Sequence, residues 1–224
     1  VKKVLVWNGD HPLARKLDVD RALVPAYPMD AEAVKALGGL LAKSAAKDRR
    51  GRFKHWYLRR ASLFLLGLSG SKQAVPPLLK ALRLPERQRN LNRTIAGLGL
   101  LRSREAVPDM LKYLARGHCK EYGTLAYNGD KAHEYAARAL AQVGDPKSVG
   151  PIIELLDSPK KEVRPLARRA LSDMFASDVP RDRCLLPKNG KLVQVRVDDL
   201  PPPGELKAAW QGFWKVNADR YGGN

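Results

Sequence analysis

Arginine carries most of the side-chain chemistry in this 224-residue chain. Arg49, Arg50 and Arg52 lead into Arg59 and Arg60. Arg93 and the pair Arg168–Arg169 follow further along. A guanidinium is a permanent cation with a flat fork of donors that fits phosphate and carboxylate. These residues lie in three basic bands. Lys43 to Arg60 sets eight basic residues against Asp48 alone, Lys80 to Arg104 seven against Glu86, and Lys160 to Arg169 five against Glu162. The bands hold nearly all of the net charge of +18. Such bands attract nucleic acid, acidic proteins or anionic membranes, and they also keep a surface solvated.

No constellation for bond chemistry accompanies them. His11, His55, His118 and His133 are scattered. His118 and Cys119 are neighbours, but no acid is placed to orient them. Asp198 and Asp199 point apart on any regular element. A dinucleotide fingerprint, a phosphate loop, a nucleophile elbow and a zinc-protease helix are all missing. Cys119 and Cys184 form no CxxC pair and no zinc-spaced cluster, which leaves one disulfide or two free thiols. The residues therefore predict no catalytic group, no metal site and no cofactor.

The elements that must position the arginines are legible from a stretch written three times. "AVPPLLKAL" (74–82) returns as "AVPDMLKYL" (106–114) and as "SVGPIIELL" (148–156). Val75, Leu78, Leu79 and Leu82 repeat as Val107, Met110, Leu111 and Leu114, then as Val149, Ile152, Ile153 and Leu156. The i, i+3, i+4, i+7 spacing puts one apolar stripe on one helix face. Pro76, Pro108 and Pro151 sit in the first turn, where a missing N–H costs nothing. Matched copies at this period predict a repeat array.

Each copy is preceded by a second helical pattern: "HWYLRRASLFLLG", then residues 90–101, then "AARALAQVG", with a fourth in "EVRPLARRALSDMF". Arg59–Arg60, Arg93 and Arg168–Arg169 fall on these equivalent helices and are expected to form one ridge. The predicted class is all-α: a right-handed solenoid of helix pairs. Residues 1–29 form an extended arm, 30–54 a capping helix capped by Asp30 and a basic loop, and 55–178 the array. Between the second and third copies the period stretches by about ten residues, which places an insertion at 117–130. Residues 179–203 break the pattern, with Asn189–Gly190 as a hairpin turn and "PPP" as a stiff link. Residues 204–224 form a last helix with Trp210, Phe213 and Trp214 on one face, as a plug for the array or a docking site.

The repeats resemble HEAT-like repeats of the short bacterial, phycobilin-lyase type over residues 55–175. The resemblance is carried by "RRASLFLLGLSGSKQAVPPLL", "ARALAQVGDPKSVGPIIELL" and "EVRPLARRAL". It implies antiparallel helix pairs stacked into a superhelix that serves as a binding surface. Some HEAT-like solenoids are DNA glycosylases for alkylated bases. Trp56 and Tyr57 beside the arginines imitate their site, but only Asp48 offers a carboxylate nearby.

The expected function is a non-catalytic scaffold or accessory subunit in a larger assembly, facing another protein with an acidic surface. Its expected partner contacts are His118, Tyr122, Tyr127, Trp210 and Trp214. The alternative is a nucleic-acid binder using Arg49, Arg50, Arg52, Arg59, Arg60, Arg93, Arg168 and Arg169, with the glycosylase as its enzymatic extreme. No apolar run is long enough to span a membrane. The chain opens on Val1, which suits a processed, exported protein slightly better than a cytoplasmic one.

Overall fold

A computed structural model describes residues 29–44, 56–84, 90–117, 131–176 and 178–222. The arm at 1–28, the basic loop and the insertion after Gly117 lie outside the described residues. Three helix pairs form the array: α2 (Trp56–Leu68) with α3 (Val75–Leu82), α4 (Leu91–Leu100) with α5 (Val107–Arg116), and α6 (Ala132–Val143) with α7 (Val149–Glu154). Before them comes α1 (Ala31–Lys43), whose first turn is closed by Asp30 accepting from the Ala33 N–H at 2.7 Å. After them comes a lone first helix, α8 (Val163–Phe175).

The first helices of the pairs stack in order, α2 on α4, α4 on α6 and α6 on α8, and α1 covers the outer side of α2. The second helices pack back onto this row. The core runs through every layer as Leu63 and Leu66, Ile95 and Leu98, Leu140, then Ala167 and Leu171. Leu78, Met110 and Ile152 enter from the second helices. The three stripes read from the sequence thus point inward.

Two features let the first helices stack so closely. A Cβ on Gly67 would sit 2.6 Å from the Gly97 Cα, so α2 and α4 touch backbone to backbone there. A Cβ on Gly99 would meet the Ala139 Cα at 2.8 Å, repeating the close approach between α4 and α6. Glycine is costly inside a helix, at about 1 kcal/mol against alanine. Here the cost secures a crossing no larger residue allows.

The turn inside each pair is built to one pattern. A residue with positive φ comes first: Gly70 at 65°, Arg102 at 51° and Gly144 at 62°. Next comes a small polar residue, Ser71, Ser103 or Asp145. Ser71 accepts from the Gln73 N–H at 3.3 Å, and Asp145 from the Lys147 N–H at 3.1 Å. A single 3₁₀ turn then delivers the chain to Val75, Val107 or Val149.

Beyond α8 the pattern changes. Strands β1 (Arg183–Lys188) and β2 (Lys191–Arg196) form an antiparallel hairpin in which Lys188 faces Lys191. Asn189 and Gly190 have φ of 51° and 74°, the paired positive values of a type I′ turn. The hairpin is tied to α8 through Ser172. Its Oγ donates to the Arg168 carbonyl at 3.0 Å and accepts from the Leu185 N–H at 2.9 Å. The final helix, α9 (Pro203–Asn217), packs on α7, on the 3₁₀ turn at 155–157 and on β1. It thus lies beside α7 at the end of the array.

Candidate functional site

The nominated arginines separate into distinct fates. Arg59, in the first half of α2, is only 1% exposed, so it is a core residue and not a surface cation. Burial lowers its pKa. This corrects the expectation that Arg59 faces a polyanion: its helical phase turns it inward with Leu63 and Leu66. Arg60 and Arg93 are half-buried neighbours on adjacent helices. Arg93 is pulled down to about 10, first by burial and then by the Arg60 charge, with Tyr135 opposing. It remains a cation at neutral pH.

Arg168 and Arg169 lie on α8, and α6 stands between them and α4. Arg169 is fully engaged. Its Nε donates to Asp173 at 2.9 Å, and its Nη2 pairs with the same carboxylate at 2.8 Å. Its Nη1 and Nη2 also donate to the carbonyls of Pro180 at 3.0 Å and Val179 at 2.9 Å. This is a clamp that turns the chain from α8 into the hairpin. The single arginine ridge expected from the repeat is not assembled: the structure brings together Arg60 and Arg93, and spends Arg169 on the fold. Arg49, Arg50 and Arg52 lie outside the described residues, as do His118, Tyr122 and Tyr127.

The aromatic face of α9 closes the array. Phe175 at the end of α8 is its centre, with ring centroids 5.6 Å from Trp210, 5.9 Å from Phe213, 6.2 Å from Trp214 and 5.0 Å from Tyr221. Trp210 is 0% exposed. Its nomination as a partner contact is corrected, because its ring is consumed by the plug. Trp214 is half-buried, stacked on Tyr221 at 6.4 Å, and Arg220 lies 5.9 Å over the Tyr221 ring. Trp210 and Phe213 are buried in this cluster, Phe175 and Trp214 are half-buried, and Tyr221 is exposed.

Sequence reasoning missed the polar latch beside the plug. Lys207 Nζ lies 2.8 Å from Glu154 and 3.1 Å from Asp157, and Gln211 donates to Glu154 at 2.9 Å. The helical spacing of Lys207 and Gln211 was a readable signal. Their targets on another helix were not. Solvent-screened surface pairs of this kind contribute little to stability. Burying an aromatic side chain contributes about 1.5–3 kcal/mol. The aromatic face therefore holds α9 in place, and the latch sets its register.

Cys184 on β1 is buried and free among the described residues, and burial pushes its thiol pKa up against the opposing charges of Arg168 and Arg169. It is a packing residue, not a nucleophile. Among the described residues no His, Cys, Asp and Glu group is arranged to hold a metal, and no helix is long and apolar enough to cross a membrane.

Residues 58–83 and 133–158 match the PBS lyase HEAT-like repeat. The chain thus carries HEAT-like repeats of that type. A solved structure of the complex of CpcE and CpcF of phycocyanin lyase, from Nostoc sp. PCC7120, is similar at 25% identity with a TM-score of 0.50. The similarity covers 65% of this chain and 53% of that one, so this chain spans about half the length of the matched lyase chain. The curated proteins give no match. These likenesses overturn the expectation of a chain with no part in catalysis. That expectation rested on missing local motifs.

Proposed function

We propose that this chain is an accessory subunit of a lyase-type assembly of two proteins, in which the solenoid docks a second polypeptide. The observation that carries this reading is the likeness, over 65% of the chain, to a structure in which two lyase subunits form a complex. The physical case agrees with it. The helix pairs spend their leucines on one another and leave a polar outer surface for recognition. A net charge of +18 selects an acidic partner surface. The insertion at 117–130, with His118, Tyr122 and Tyr127, interrupts the period and belongs to the partner contact in this reading. Trp214 at the rim of the plug adds an aromatic contact.

The test uses the tagged chain in native extract. The expected result is one protein recovered in stoichiometric amount. Adding that pair to phycocyanin with free phycobilin should then change the amount of pigment covalently attached. A chain that stays monomeric and recovers no stoichiometric partner overturns the subunit role. A pair that leaves the pigment unchanged overturns the lyase role alone. Nucleic-acid binding is the competing reading of the same charge. It requires an affinity for DNA or RNA that falls by about one log unit per log of salt for each phosphate neutralised. The burial of Arg59 and the engagement of Arg169 count against it.

A further inference from the structure

Among the described residues, the hairpin has one strand edge that no other strand pairs with. Its register fixes which backbone groups face which way. In a two-residue hairpin the pair next to the turn is hydrogen-bonded, here Lys188 and Lys191, and the bonded pairs then alternate. Leu186–Val193 and Cys184–Val195 are the next bonded pairs. Three observations confirm the phase. Pro187, which has no N–H, falls at a non-bonded position. The Leu185 N–H points away from β2 and donates to Ser172. The Val197 N–H continues the ladder to the Asp182 carbonyl at 2.9 Å. On β2, therefore, the N–H and C=O groups of Leu192, Gln194 and Arg196 point outward. Among the described residues no strand pairs with this edge, since the sheet is β1 and β2 alone.

An exposed edge is a template for another strand, and its side chains decide which one. Between positions 181 and 196 five basic residues stand against Asp182 alone. Lys191 and Arg196 mark the two ends of β2. Arg196 has one long contact, 3.8 Å to Asp198, between groups that are 65% and 84% exposed, so it stays available. Val193, 36% exposed, offers an apolar contact between the charges. A second copy would bring another hairpin with the same excess of basic residues against this edge, and that like charge opposes pairing. An extended segment with acidic side chains reverses that sign.

We propose that the outer edge of β2 is a docking strand for an extended acidic segment of a partner protein, which adds a third strand to the hairpin. This surface goes beyond the subunit reading and does not depend on it. Strand addition without any effect on phycocyanin would keep the edge and remove the lyase role.

The test is amide hydrogen exchange on the full chain, with an end-capped peptide of alternating Glu and Val as probe. At a peptide concentration about ten times its dissociation constant, exchange at Leu192 and Gln194 should slow about tenfold. A Lys–Val peptide of the same length should leave both amides unprotected. Gln194→Pro removes an outward N–H without touching the ladder to β1, and it should abolish protection at Leu192. Lys191→Glu leaves the backbone intact and should weaken peptide binding about fivefold. If Gln194→Pro unfolds the hairpin, Lys191→Glu decides the matter alone. Equal binding of the Lys–Val peptide overturns the proposal, as does unchanged binding by a folded Gln194→Pro or by Lys191→Glu. Protection that grows with the protein's own concentration, without peptide, assigns the edge to a second copy and also overturns it.

Discussion

Arg169 shows what a residue type in a pattern can and cannot say. In sequence it is one of a basic pair equivalent to Arg59–Arg60. In the structure its fork reaches Asp173 and two carbonyls of the chain that leaves α8. Lysine carries the same charge but cannot span those acceptors together. Arg169→Lys should therefore cost up to about 1.5–3 kcal/mol of unfolding free energy, the range for hydrogen bonds to a charged group. Urea denaturation checks this, and a shift within error would mean the clamp is incidental. The same limit explains Arg59: charge was legible, but burial depends on how α2 is phased against its neighbours. The turn residues were more readable. Gly144 followed by Asp145 announced a helix end and a cap, because positive φ and a short acceptor are local requirements. Arg102, which fills the glycine position in the second pair at φ 51°, was not readable, because nothing in its type predicts that backbone.

At the scale of elements, apolar spacing located the pairs, and the hairpin was announced by Asn189–Gly190. How tightly the helices cross was hidden, since Gly97 reads as a weak point in α4 until Gly67 is found against it. Gly97→Ala puts a methyl 2.9 Å from the Gly67 Cα. The gain in helix propensity, about 1 kcal/mol, is outweighed by overpacking of about 1–3 kcal/mol for a backbone that must move. A net loss of stability in chemical denaturation is expected, and a gain would refute the close crossing.

The joint between α9 and α7 has a pH signature. Hydrogen bonds from Lys207 and then Gln211 hold Glu154 below its ordinary value of 4.5. A carboxyl lowered in the fold contributes fully above its unfolded value, and the contribution is lost as pH falls through the folded one. The bonds to Glu154 and then Asp157 hold Lys207 above its ordinary 10.5, so its share is lost as pH rises through that raised value. Glu154→Gln should thus lower the melting temperature near pH 7, and the gap to the parent should close in strong acid. A gap that persists unchanged at low pH would show that the carboxylate charge has no part in the joint.

For the whole molecule, the decisive property is that each layer touches mainly its neighbours. A solenoid then behaves as a row of coupled units, in which damage at one end is felt most in the adjacent layer. Phe175 is the point where this can be read. It belongs to α8 yet packs against four rings carried by α9 and the turn after it. Phe175→Ala removes the centre of the plug, and buried aromatic truncations cost about 3–5 kcal/mol, with the lower end apt for a half-buried ring. Hydrogen exchange should rise first in α9 and α8, next in α6, and least in α2 and α4, whose crossing at Gly67 and Gly97 is remote from the plug. A uniform rise across all helices would mean that the array unfolds as one unit. In that case α9 is not a separable cap, and the hairpin edge beside it could not accept a strand without the distant layers responding.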